Sequence, residues 1–330
     1  MASQDKFFHE QKAPISLELF HFLGNISSAF RSTKLFRPFN ESLIGKIMSR
    51  QWWFLLLVLF SASSPSQTRV ELLPTQSLSA EHSAKFNRWI AESLSMVEKS
   101  LGPLPQPKLP VRLNTRFFAT EPVPWGQVER DQYPVGDGLY LIVYRYAKPA
   151  QLKRDWTLYH EISHLYLPYL DYASFWLSEG FATYMQNVIM LQNRVYNRSE
   201  FIDKLSAGLA RGRINTLSAT GKLSDITRKM RKNRAFMRVY WTGTAFFIEM
   251  DLALQQLGTS LPALIQAFSS CCRNQVDTGK ELMLKLDKLQ GKVLFSTRFF
   301  KYRNRTDFPP VSSEKLHQLA SFYGSKPIKD

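Results

Sequence analysis

Cysteine is almost missing from this 330-residue chain, with Cys271 and Cys272 its only two. That excludes a disulfide scaffold and any four-cysteine zinc site. Long apolar runs are missing too. The run that stands out, Trp52 to Phe60, has nine residues, too few to cross roughly 30 Å of hydrocarbon as a helix. A multi-span membrane protein is therefore excluded. Acidic residues are scarce, 27 against 43 Lys and Arg, which gives a net charge of +16. Such a surface suits anionic partners, but it fits nucleic acid, lipid headgroups and cell-wall polymers equally well. No internal repeat is visible. What remains is ordinary globular composition, 44% hydrophobic and 21% charged, enough for one large domain or two small ones.

The apolar run has the length of a secretory h-region. Arg50 precedes it as a positive n-region, and Ser61-Ala62-Ser63 follow with small residues suited to signal peptidase. Its place fifty residues into the chain is explained if translation starts at Met48. Residues 1–47 then read as a non-native upstream extension and 48–63 as a signal peptide. The alternative is a short buried strand or helix in a cytosolic protein. Export predicts a periplasmic or secreted protein in an oxidising compartment. Residues 1–63 carry seven Lys/Arg and four Asp/Glu, so the mature chain keeps +13.

Residues 64–78, rich in Ser, Pro, Thr and Gln, read as a leader linker. Phe86, Ile90, Leu94 and Val97 recur at helical spacing and predict a helix over 79–101, stopped by Gly102-Pro103. Alternation predicts strands over 111–118 and 139–146. Between them 119–138, with three prolines and three glycines, reads as loop. A helix runs from about 150 through His164. Beyond it the patterns are helical: 173–193, 199–211, 235–257, 260–272, 278–290 and 313–323. The expected fold class is α+β. An α/β subdomain with a mixed sheet (64–165) ends in a metal-binding helix, and an all-helical subdomain (166–330) follows. The chemistry is expected at their junction.

Residues 160–164 read His-Glu-Ile-Ser-His. Two histidines four apart lie one turn apart on one helix face, so both imidazoles can reach a single metal ion. Glu161, about 100° round the helix, stands beside that ion, placed to take a proton from water. The bland alternative is a histidine pair on a solvated or core face. A catalytic zinc site needs a third protein ligand and an open fourth position.

Downstream lies Trp176-Leu177-Ser178-Glu179-Gly180-Phe181-Ala182. This segment closely resembles the third-ligand signature of the gluzincin metallopeptidases, in particular the aminopeptidase N and glycyl aminopeptidase families. The resemblance is specific over about 140–250. It implies a thermolysin-like catalytic domain, one Zn2+ per chain held by His160, His164 and Glu179, and a peptide or protein substrate. The apolar flanks Trp176, Phe181 and Ala182 independently argue that this turn is buried, where a lone carboxylate is costly without a cation. Tyr240 and Gly243, in Tyr240-Trp241-Thr242-Gly243, match the families' Tyr-x-Lys-Gly segment, whose tyrosine donates to the oxyanion of the tetrahedral intermediate. Thr242 stands where their lysine does. On its own Tyr240 reads as a core aromatic. Gly243 within a helix costs about 1 kcal/mol against alanine and requires close packing to justify it.

Two departures stand out. Fourteen residues separate His164 from Glu179, a shorter connection than in the aminopeptidase N family. That family also reads its substrate's free amine with carboxylates on a Gly-x-Met-Glu-Asn strand. Here Val135 to Leu139 is the corresponding region, with Asp137 its one acidic residue, so aminopeptidase specificity does not carry over. The strand 139–146 is instead expected to receive an extended peptide along its edge. Arg228 to Arg234 is a dense basic run that reads either as a solvated face or as a seat for an anionic envelope component. No nucleic-acid partner is expected, since no such motif is visible. Adjacent cysteines rarely bridge, so Cys271 and Cys272 are expected to be free thiols. The sequence thus predicts an exported zinc peptidase with Glu161 as general base and Tyr240 as oxyanion donor. The alternative is a catalytically silent, peptidase-like scaffold with a basic surface.

Overall fold

The computed structural model describes residues 68–133 and 136–325. The upstream extension and the signal peptide lie outside the described residues. Four strands form one mixed sheet: β1 (Arg69–Pro74), β2 (Lys108–Arg116), β3 (Trp125–Tyr133) and β4 (Gly136–Tyr144), in the order β1-β2-β4-β3. β1, β2 and β4 are parallel, and β3 runs antiparallel to β4. Helix α1 (Ala80–Leu101) is the crossover between β1 and β2. It starts at Ser79, whose hydroxyl caps the His82 N–H, and ends at Gly102, where φ is 81°. Its Phe86, Ile90, Leu94 and Val97 are buried, as are Leu109, Val111, Leu113, Leu139, Leu141 and Val143 on one sheet face. Arg112 and Arg116 lie on the other, exposed face.

Only helices follow: α2 (Pro149–Arg154), α3 (Thr157–His164), α4 (Phe175–Gln192), α5 (Arg198–Ser218), α6 (Leu223–Arg228), α7 (Phe236–Gln256), α8 (Leu261–Cys271), α9 (Gly279–Gln290), α10 (Phe295–Arg303) and α11 (Ser313–Ser325). The fold class is α+β with a mixed sheet, as expected. No helix among the described residues is long and apolar enough to cross a membrane.

Several sequence expectations need correction. The leader linker contains β1, whose short alternation, Val70 and Leu72, becomes a strand only because β2 pairs with it in parallel. The loop at 119–138 contains β3. Prolines bracket it, and its Glu129-Arg130-Asp131 run hides the alternation. The single helix from 150 to His164 is two, because Asp155 leaves helical geometry at ψ 131° and its carboxylate accepts the Thr157 N–H at 2.9 Å, closing a turn ahead of α3. β4 lies between β2 and β3 and has no open edge; β3 is the edge strand beside it. Cys271 and Cys272 are bonded to each other. They sit where α8 ends, and Cys272 at φ −140° and ψ −4° has left the helix, which lets the two sulfurs meet.

The close packing anticipated at Gly243 is a helix crossing. α4 and α7 pack together, and a Cβ on Gly243 would drive into the Trp176 carbonyl oxygen and come within 2.8 Å of Gly180 Cα. A Cβ on Gly180 would in turn strike the Gly243 backbone. These are main-chain atoms that cannot swing aside. Gly180→Ala should therefore cost at least ~2 kcal/mol through overpacking, read as a fall in the urea midpoint. Gly258→Ala, at φ 77° with nothing near its added methyl, should cost only about 1 kcal/mol of backbone strain.

Candidate metal centre

α3 presents His160 and His164 one turn apart, and α4 packs across it with Glu179 facing them. All three side chains are buried. One ligand atom from each lies within 4.8 Å of the others. The two Nε2 atoms are 3.1 Å apart. Glu179 approaches His160 Nε2 at 3.3 Å and His164 Nε2 at 3.7 Å.

The far sides of both rings are also fixed. His160 Nδ1 lies 2.8 Å from Gln186 Oε1, and His164 Nδ1 lies 3.1 Å from Ser178 Oγ. An amide oxygen accepts, so His160 Nδ1 carries the proton and its Nε2 lone pair turns inward. Two imidazole nitrogens and a carboxylate converging in a buried pocket suit a cation, and three such donors are the set of a catalytic zinc site. Burial opposes the His160 imidazolium, but the hydrogen bond and charge of Glu179, with Glu161 beside it, outweigh that and raise His160. Burial and the neighbouring charges of His160 and Arg130 hold His164 well below the ordinary imidazole range.

Glu161 is buried, and burial pushes its carboxyl up to about 7. It stands against β3. A Cβ on Gly126 would come within 2.8 Å of Glu161 Cγ and 2.7 Å of Thr157 Cγ2, so glycine is what allows the strand to lie against this side chain. At the other end of α3, Arg130 on β3 donates from Nη2 to the His164 carbonyl at 2.8 Å and from Nη1 to Asp137 at 2.6 Å. Arg273 also binds Asp137. The sheet edge is thus tied to the metal helix at both ends.

Tyr240, on α7, is brought into the same site. Its ring stacks on His160 with centroids 6.4 Å apart. Burial, followed by the charge and hydrogen bond of Glu179 and the charge of Glu161, pushes its phenol well above the usual range, while Arg231 pulls the other way. His82 and His317 lie on other helices and interact with Ser79 and Ser313 of their own helix starts.

The edge strand beside α3 carries Gly126-Gln127-Val128-Glu129. Glu129 is buried and engaged, accepting from Arg112 and, at 2.5 Å, from the Tyr133 hydroxyl. Asp137 is occupied by its two arginines. Gln186, Ser178, Arg130 and Gly126 had no place in the sequence reading. Gln186 alone had a local signal, since it lies seven residues, two helical turns, beyond Glu179 on the same face.

Gln186→Leu keeps the side-chain volume but removes the acceptor that orients His160. Zinc affinity, measured by competition with a chelator of known strength, should fall 10–100-fold, with the thermal midpoint of the metal-free protein little changed.

No protein-family model and no curated protein matches the sequence. Solved structures do. An aminopeptidase N family protein from Idiomarina loihiensis superposes with a TM-score of 0.56 at 12% identity, over 76% of this chain and 46% of its own. An M1 zinc metallopeptidase from Deinococcus radiodurans is similar at a TM-score of 0.46 and 17% identity, over 74% of this chain and 50% of its own. The chain thus spans about half the length of the structures it resembles, and at such identities the likeness is one of fold: this is the α+β fold of the aminopeptidase N type of zinc metallopeptidase.

Proposed function

We propose that this chain is an exported zinc-dependent peptidase that hydrolyses peptide bonds with Glu161 as general base. The observation that carries the reading is the convergence of His160, His164 and Glu179 within 4.8 Å, with Glu161 and Tyr240 beside them. In this reading the three side chains hold one zinc ion, which would supply Lewis acidity toward the scissile carbonyl and the attacking water. Glu161 takes the water's proton and passes it to the leaving amine. Its burial, which raises the carboxyl's proton affinity, suits it to both transfers. Tyr240, kept as a neutral phenol, donates to the oxyanion that develops on the carbonyl oxygen. The open edge of β3 pairs with the backbone of an extended substrate and lays it along α3.

Of the three acidic residues near that edge, Asp131 is exposed where the β3–β4 register is irregular, and the two buried ones, Glu129 and Asp137, are not free to receive a substrate's α-amine. Arg112 and Tyr133 hold Glu129, and Arg130 and Arg273 hold Asp137. The proposed peptidase therefore does not depend on a free N-terminus. Export rests on the sequence pattern from Met48 onward, and the Cys271–Cys272 bond fits an oxidising compartment.

Glu161→Gln should retain about one zinc per chain by elemental analysis and lose turnover. Tyr240→Phe should lower kcat on the order of 10²-fold. Wild-type protein that holds zinc yet cleaves nothing in a broad peptide library would instead favour the catalytically silent scaffold. In a separate assay, N-acetylated peptides should be cleaved as fast as their free-amine counterparts; a loss above about tenfold on acetylation would overturn the reading of Glu129 and Asp137.

A further inference from the structure

The basic run does not lie on a remote surface. Residues 229–235 form the turn between α6 and α7, the helix that carries Tyr240. Tyr240 is four residues past the first residue of α7, about 6 Å along its axis. The turn is held in place. Met230 is buried, and its carbonyl accepts the Ala235 N–H at 2.9 Å. Asn215 on α5 donates to the Arg234 carbonyl at 3.2 Å. The Asn233 N–H closes back on the Lys229 carbonyl at 2.9 Å. With the backbone fixed, Arg228, Lys229, Arg231, Lys232 and Arg234 are left exposed.

Two further facts give this turn a direction. α6, which leads into it, packs against the short turn Tyr172–Ser174 in the connection from His164 to Glu179. That connection presents Tyr169 and Tyr172 to solvent, 57% and 70% exposed. The cations thus stand on the rim of the metal site, between α7 and the connection joining its ligands. Arg231 is near enough to act electrostatically on the Tyr240 phenol. The run is undiluted in sequence, with no acidic residue between Asp225 and Glu249. Among the described residues, no carboxylate pairs with Arg228, Lys229, Lys232 or Arg234.

We propose that this turn selects acidic peptide substrates: Arg231 and Lys232, with their basic neighbours, receive Asp or Glu side chains within a few residues of the scissile bond. This rests on the peptidase reading of the site and adds the substrate class. A cationic rim beside a buried, low-dielectric site concentrates anionic ligands at its mouth and penalises cationic ones. Because the rim is solvated, its contribution should be strongly screened by salt.

The test uses the full chain, zinc-loaded, as the Glu161→Gln variant, so that binding is read without turnover. Three fluorescent peptides share one core and carry Asp/Glu, Ser/Gln or Lys/Arg on both flanks; affinity is read by anisotropy. The acidic peptide should bind ~10-fold tighter than the neutral one at 0.05 M salt and lose most of that advantage at 0.5 M. R231Q/K232Q should remove the preference, and R231E/K232E should reverse it toward the basic peptide. Unchanged melting temperatures would show that both variants fold. Equal affinity for all three peptides, or an acidic preference that survives R231E/K232E, would overturn the proposal. Wild-type protein that binds the acidic peptide but cleaves none of the three would sink the peptidase reading instead, leaving anion recognition standing.

Discussion

The close crossing of α4 and α7 sets the geometry on which the site depends. Gly180 and Gly243 let two helix backbones meet where any side chain would force them apart. Glu179 is the neighbour of one glycine, and Tyr240 lies three residues before the other. Their contact therefore fixes how close the third ligand candidate and the phenol come. A wider crossing would leave His160 and His164 in place on α3 but draw Glu179 and Tyr240 away from each other. The helix propensity sacrificed at two glycines, about 1 kcal/mol each, is the cost of that approach.

The second constraint lies between sheet and helix. β3 is held against α3 by the small volume of Gly126 at one end and by Arg130 on the His164 carbonyl at the other. Arg130 is in turn fixed by Asp137, which Arg273 also binds from beyond α8. This chain of contacts joins the sheet, the metal helix and a late segment of the helical region. Asp137, the one acidic residue of the segment before the β4 core, serves here as an internal tie. Burial opposes the Asp137 carboxylate, and its two arginines more than compensate, holding it below the usual range.

Much of this was legible in the sequence, and the reason is locality. The histidine spacing, the helix face it implies and the apolar surroundings of Glu179 are written within thirty residues. Helices α1, α4, α7, α8, α9 and α11 follow from apolar periodicity because each buries a stripe or a whole circumference. β3 could not be read this way. One of its faces meets α3 through a glycine and an arginine, and the other carries Gln127 and Glu129, so no apolar alternation exists to find. β1 was hidden for the related reason that a six-residue edge strand draws its stability from its neighbour. The roles of Arg130 and Ser178 depend on tertiary contacts that no local pattern encodes. Adjacent cysteines rarely bridge, and this pair does so where the chain leaves α8, a departure that no local pattern marks.

From Trp176 through Leu191 every residue of α4 is buried. A segment enclosed on all sides cannot fray or open while the rest stays folded, because each of its faces supports another element. Its amides belong to the last group to exchange with solvent, at the free energy of global unfolding. The carboxylate of Glu179 and the amide of Gln186 share that fate. The basic side chains of the turn at 229–235, and Tyr169 and Tyr172 of the connection, instead face solvent. The protein thus combines a chemical centre that opens only when the whole molecule does with a mouth whose charged and phenolic side chains stand in solvent.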